Sequence, residues 1–233
     1  MPFVVALKPD QSGAFLASVA NTDVASVAQA GGAASASAAR DEEERRLIAR
    51  CVAGDAEAFR PLVVSYQRQA FAVALRMLGS RSDAEDVAQQ SFIDAFNALD
   101  RFRDEGRPRA FSTWLLRIVV NRSKDVLKSK RRTEQPLDRE VAGGDAVFAH
   151  DPSNQEANAS GGQRRRRLEA ALLAVPAKYR EVLVLKDVED LSYEEIRTIL
   201  RLPITTLKMR VVRARAMLRD LLETAAGTEG ELR

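Results

Sequence analysis

In the segment 206–213, Thr206, Lys208, Met209, Arg210 and Arg213 are interleaved with Leu207 and Val211, the start of an apolar repeat continued by Ala214, Leu218 and Leu221. That repeat steps by three and four residues, so it marks the inner face of a helix and leaves the other residues at or near the solvent side. An arginine there can bind guanine through two parallel hydrogen bonds, discriminating between bases by roughly 1–3 kcal/mol, and a threonine can contact a base or a phosphate. A merely solvated charged face is the plain alternative. Against it, a capping pair (Ser192 and Glu195), the short helical stretch YEEIRTIL and the tight turn RLP stand immediately upstream. Short helix, turn and longer basic helix is the helix-turn-helix arrangement, whose second helix enters the major groove of duplex DNA.

A second basic group reads differently. Asn121, Arg122, Lys124, Lys128, Lys130, Arg131 and Arg132 crowd the end of another helical pattern, and the loop 101–109 adds Arg101, Arg103, Arg107 and Arg109 beside Phe102. Cations track phosphates, and an aromatic or a pocket beside them can take an unstacked base. Such arginines equally serve to solubilise a loop. Trp114 falls in the apolar stripe with Phe111 and reads as core rather than as a stacking platform. A third group, Asp83, Glu85, Asp86, Gln89, Gln90 and Asp94, lies on the polar face of a helix and is acidic at its start. Acids there complement the helix dipole, and the same face can receive a protein.

Catalytic chemistry has no comparable constellation. There is no glycine-rich phosphate loop, no Ser/His/Asp set and no metal-ligand spacing, so an enzyme is not expected and neither is a cofactor or metal. The single cysteine, Cys51, cannot form an internal disulfide and reads as a small buried hydrophobe. The single histidine, His150, reads as a solvated linker residue. A reducing cytoplasm is the expected compartment. The 233 residues are 45% apolar, 30% charged and only 6% aromatic, a composition that fits a helical protein poor in sheet. No run approaches the roughly 20 apolar residues needed to cross a bilayer, so no membrane insertion is expected.

The positioning elements follow from charge and periodicity. Residues 1–40 carry no net charge and no sustained helical period, and read as a disordered leader, with 41–132 as a first domain of net charge +4. A secretion signal would place its lysine before the apolar run Phe3–Leu7, whereas Lys8 and Pro9 follow it. A misassigned start codon would leave the same kind of leader. Residues 133–163 carry −5 with several glycines and read as a flexible linker, followed by a second domain at 164–223 and a tail at 224–233. Two basic modules joined by an acidic strip imply two contacts with a polyanion.

Within the first domain, Asp55 is placed to cap a helix bearing Phe59, Leu62, Val63, Tyr66, Ala70, Val73 and Met77, in which Pro61 predicts a kink or a delayed start. Gly79 closes it, and Ser82 with Glu85 predicts a capping box for a helix burying Ala88, Phe92, Ala95, Phe96 and Leu99. A third helix buries Phe111, Trp114, Leu115, Ile118 and Val119. In the second domain, Leu168, Ala171, Leu172 and Val175 are expected to face inward, and a helix after Pro176 carries Tyr179, Val182, Leu183 and Lys186. The expected fold is therefore all-α, two small helical domains joined by a linker.

These strings resemble the extracytoplasmic-function (ECF) group of bacterial RNA polymerase sigma factors. GDAEAFRPLVVSYQ, DAEDVAQQSFIDAFNAL and FSTWLLRIVVNRSKDVLKSKRR are similar to that family's region 2, in its order and spacing. VPAKYREVLVLKDVEDLSYEEI and LPITTLKMRVVRARAMLRDLL are similar to its region 4. The resemblance covers about residues 45–223. It implies a non-enzymatic initiation subunit that binds core RNA polymerase, with Asp83, Glu85, Asp86, Gln89, Gln90 and Asp94 at the β′ coiled coil. It implies that Arg103, Arg107, Asn121, Arg122, Asp125 and Lys128 recognise and melt the −10 promoter element. It implies that Thr206, Lys208, Met209, Arg210 and Arg213 read the −35 element while that domain also meets the β flap. An anti-sigma factor is the further partner expected from the family. Arg201 stands where the family usually has glycine, so either it takes a left-handed conformation or the turn differs. Met209 replaces a residue that is commonly small or polar, which puts the usual promoter preference in question. An autonomous regulator would use only the helix-turn-helix and leave the first domain unexplained, and a nucleic-acid-processing enzyme would need a catalytic cluster.

Overall fold

The structure, a computed structural model, describes residues 33–104, 106–107, 109–133 and 159–230. The expectations for residues 1–32, for most of the linker including His150, and for the last three residues lie outside the described residues. The described elements are helical. Helix α1 (Ala33–Val52) leads through a single 3-10 turn (Ala56–Phe59) into α2 (Arg60–Leu78), then α3 (Arg81–Asn97) and α4 (Ala110–Thr133). After the linker come α5 (Ala159–Ala174), α6 (Ala177–Leu183, continued by a π turn over Val184–Val188), α7 (Tyr193–Leu200) and α8 (Ile204–Gly230). Helix α1 begins within the stretch read as a leader, and α8 continues into the stretch read as a tail.

Helices α2, α3 and α4 pack on one another as a bundle, their buried stripes meeting around Phe59, Leu62, Val73, Met77, Phe92 and Phe111. Phe59 is edge-on to Phe92, Phe96 and Phe111, with ring centroids 6.5, 5.1 and 6.5 Å apart. These geometries favour the ring quadrupoles as well as burying area. Helix α1 is tied down at Glu44, a buried carboxylate that accepts a hydrogen bond from the Tyr66 hydroxyl of α2.

Two capping expectations are corrected. Asp55 makes no side-chain cap; its carboxylate is held by Arg50 at 2.6 Å, and Pro61 stands in the first turn of α2, where a missing N–H costs nothing. The start is therefore delayed rather than kinked. The cap of α3 is Ser80, whose Oγ accepts from the Asp83 N–H at 3.4 Å, while Glu85 pairs with Arg81 at 2.7 Å. Sequence places the helix start two residues late because Ser80 and Ser82 offer the same hydroxyl.

The second half follows its sequence more closely. Ser192 and Glu195 form the reciprocal capping box of α7, and Arg201 closes that helix at φ 55°, ψ 41°, the left-handed alternative. Leu207, Val211 and Ala214 of α8 are buried, together with Ile196, Ile199 and Leu200 of α7. Leu168 is corrected: it is exposed, because α5 turns Ala171, Leu172 and Val175 inward instead.

The two halves are in direct contact. Helix α4 lies against α7, and α2 against α5, α6 and the π turn, so a single apolar core runs through both. At the junction Gly79 ends α2 with φ 76°, and Leu173 of α5 sits where a β-carbon would be, its Cδ1 2.7 Å from that position. Any larger residue would meet both a strained φ and a side chain. Beside it, the buried Arg180 guanidinium donates to the carbonyls of Met77, Leu173 and Val175, at the C-terminal ends of α2 and α5.

Candidate nucleic-acid and protein interfaces

In the first half, α3 and α4 enclose an open groove of about 1250 Å³. Asp83, Asp86, Gln89, Gln90 and Asp94 line it from α3; Asn121, Arg122 and Asp125 line it from α4. The acidic set and part of the basic set named from sequence therefore share one surface. Glu85 is outside the groove and paired with Arg81. Trp114 is half-buried: its ring packs on Phe102 and Phe111, at 5.2 and 5.9 Å, and it also lines the groove. The indole is thus a core member with one side reaching the site.

Two ion pairs run from α4 to α3. Arg122 pairs with Asp94, and Lys130 with Asp83. Partial burial works to raise the Asp83 carboxyl, yet the Lys130 ammonium and the Ser80 hydroxyl hold it below the usual carboxylate range. Asp125 pairs with Lys128 at 3.1 Å along α4. In the loop after α3, the Arg103 guanidinium donates to the Asp100 and Phe102 carbonyls at 2.8 and 3.0 Å, which fixes the loop's own turn. Arg107 reaches across to the Thr198 hydroxyl of α7 at 3.3 Å.

In the second half, α8 presents Thr205, Lys208, Met209, Val212 and Arg213 to solvent, with Thr206 half-buried at the margin. Lys208 lies 5.8 Å from the Tyr193 ring. Arg213 hydrogen-bonds the Tyr179 hydroxyl, and this bond is the main cause holding that phenol below its ordinary range. Arg210 is turned inward: its guanidinium donates to Glu181 at 3.1 Å and to the Lys178 carbonyl at 3.4 Å. Glu181 is buried, and Lys124 of α4 approaches its other oxygen at 2.8 Å. One carboxylate therefore joins a cation from each basic group.

Sequence reasoning singled out neither Glu181 nor Val212. Val212 had a usable signal, since it follows Met209 by three residues on the same helical face. Glu181 had none, because its partners come from helices distant in sequence. Among the described residues no group of three His, Cys, Asp or Glu side chains could hold a metal ion, and no helix is long and apolar enough to cross a membrane.

Residues 62–133 match the family model for Sigma-70 region 2, and residues 165–218 the one for Sigma-70 region 4. The chain is 32% identical over 188 residues to the RNA polymerase sigma-H factor of Pseudomonas aeruginosa, spanning 78% of this chain and 95% of that protein. It is 35% identical over 183 residues to the ECF RNA polymerase sigma factor SigW of Bacillus subtilis, spanning 76% and 96%. Among solved structures, CnrH in complex with the cytosolic domain of CnrY superposes with a TM-score of 0.55 at 30% identity, covering 78% of this chain and 98% of that one. The sigma factor RpoE of Bartonella quintana, in complex with the anti-sigma factor NepR, shares the fold with a TM-score of 0.54 at 24% identity, covering 71% and 96%.

Proposed function

This chain belongs to the ECF group of RNA polymerase sigma factors, and from that premise we propose that it binds core RNA polymerase and directs promoter-specific initiation. The observation that carries the reading is the pairing of the two matched modules, 62–133 and 165–218, in one chain. A duplex element is read by a helix in the major groove, whereas strand opening needs cations along the backbone and a pocket for an unstacked base. Helix α8 supplies the first requirement. The α4 wall of the groove, with the arginine loop beside it, supplies the second. Neither task needs a catalytic residue, and the protein works in the cytoplasm, where its template and polymerase are.

The acidic face of α3, with Asp86, Gln89 and Gln90 open in the groove, is the docking face for the β′ coiled coil, and Asp83 and Asp94 flank it. Glu85 extends that face beyond the groove. Asn121, Arg122, Asp125 and Lys128 on α4, with Arg103 and Arg107 in the loop, handle the −10 element. Thr206, Lys208, Met209, Arg210 and Arg213 handle the −35 element, and the same domain meets the β flap. Specificity arises when polymerase holds both weakly anchored modules at the right separation. A further protein partner is supported by the complex of CnrH, 30% identical to this chain, with the cytosolic domain of CnrY, and an anti-sigma factor is the partner the family resemblance implies.

Run-off transcription with purified core polymerase on the promoter region of the protein's own gene tests this reading. A discrete transcript that requires both core and this protein is expected. No transcript, together with tight sequence-specific DNA binding by the protein alone, would establish an autonomous regulator instead. Asp86→Arg is expected to weaken core binding while leaving the far-UV circular dichroism unchanged; unaltered affinity would remove α3 from the polymerase interface.

A further inference from the structure

Met209 and Val212 are large, apolar and exposed, at 54% and 63%. Both stand on a helix whose inner face is already complete, so core packing does not explain them. With about 100° of rotation per residue, Thr205, Met209, Val212 and Ala216 fall within about 60° of arc, opposite the buried Leu207, Val211 and Ala214. From Thr205 to Ala216 the midline of the exposed face is therefore uncharged. Lys208 borders this strip on one edge and Arg213 on the other. Arg210 lies further round, towards the protein, where Glu181 and the Lys178 carbonyl hold its guanidinium.

A helix lying in a major groove turns its midline to the base edges and its two margins to the two phosphate backbones. Cations on both margins complement phosphates; on the midline Thr205 adds one hydroxyl at the helix start, while Met209 and Val212 can offer base edges only apolar contact. In the major groove the apolar group is the C5-methyl of thymine. The strip is also narrow, bounded by charge on both sides, which suits a groove floor better than a broad protein surface.

We propose that Met209 and Val212 read thymine methyl groups in the upstream promoter element. The chain then selects its −35 sequence chiefly through this apolar midline, with Lys208 and Arg213 on the phosphates, rather than through Arg210. The inference rests on the sigma-factor reading above. Each methyl buried against a side chain corresponds to about a four-fold preference.

The test uses holoenzyme reconstituted from core polymerase and the full chain, wild type, Met209→Ala or Val212→Ala. It is mixed with a library of templates in which the upstream element of the mapped promoter is randomised, and bound templates are sequenced. Wild type is expected to enrich thymine at two nearby positions. Each variant is expected to relax the preference about four-fold at one of them and keep the others. Replacing one of those thymines at a time with uracil, which deletes only the methyl, should weaken wild-type binding by the same factor and leave the matching variant indifferent. Base profiles unchanged by either variant, a uniform loss at all sequences, or wild-type indifference to uracil would each overturn the proposal. No enrichment of any sequence by wild-type holoenzyme would instead sink the sigma-factor reading itself.

Discussion

Burial pushes the Cys51 thiol up to about 11, with Asp55 reinforcing the shift and Arg50 opposing it. The thiolate is the reactive species, so at pH 8 this cysteine holds about 100-fold less of it than an ordinary one. Alkylation by iodoacetamide is therefore expected to accelerate about 100-fold when the chain is unfolded in urea; equal rates in the two states would refute this. The sign for stability follows. The folded pKa lies above the unfolded one, so the contribution is fully present below about pH 8.5 and is lost as pH rises towards 11. The residue's apolar character was legible in its sequence setting. Its electrostatic surroundings needed Arg50 and Asp55 in place.

Among the elements, the turn between α7 and α8 carries local backbone strain. Arg201 holds φ 55°, a conformation that disfavours any side chain with a β-carbon. Replacing it with glycine, Arg201→Gly, is expected to stabilise the fold by about 0.5–1 kcal/mol, seen as a higher urea midpoint at unchanged slope. A lower midpoint would mean that the arginine side chain contributes more than its backbone costs. The capping box before α7 was readable because Ser192 and Glu195 bond within one turn. The cap of α3 was harder, since two serines compete and only Ser80 meets the Asp83 N–H.

For the whole molecule, Arg180 is the joint. Burial lowers its pKa to about 10, with Arg131 adding to the effect, yet its guanidinium serves carbonyls from both halves. Arg180→Met would leave those buried acceptors unpaired and is expected to cost about 2–4 kcal/mol. The single tryptophan, Trp114, reports on the first half alone, while far-UV circular dichroism reports on both. In wild type the two unfolding curves should coincide; in Arg180→Met they should fall to lower denaturant and separate. Coincident curves at the wild-type midpoint would show that the halves do not depend on this contact. The Lys124–Glu181–Arg210 cluster lies at the same junction and engages a cation from each basic group.

The amino-acid sequence by itself determined most of the helices and the division into two basic modules, because three- and four-residue spacings and capping pairs act within a turn or two of chain; resemblance of whole strings pointed to the family, and the start of α1 within the stretch read as a leader was missed. It also determined which side chains are chemically able to meet DNA or polymerase. Tertiary structure decided how those side chains are used. It set Asp94 against Arg122 and Asp83 against Lys130, turned Arg210 towards Glu181, and left Met209 and Val212 outermost on α8. The physical reason is range. Helical periodicity is a local property, whereas the pairing of charges and the choice of exposed face depend on which helices the core brings together from distant parts of the chain.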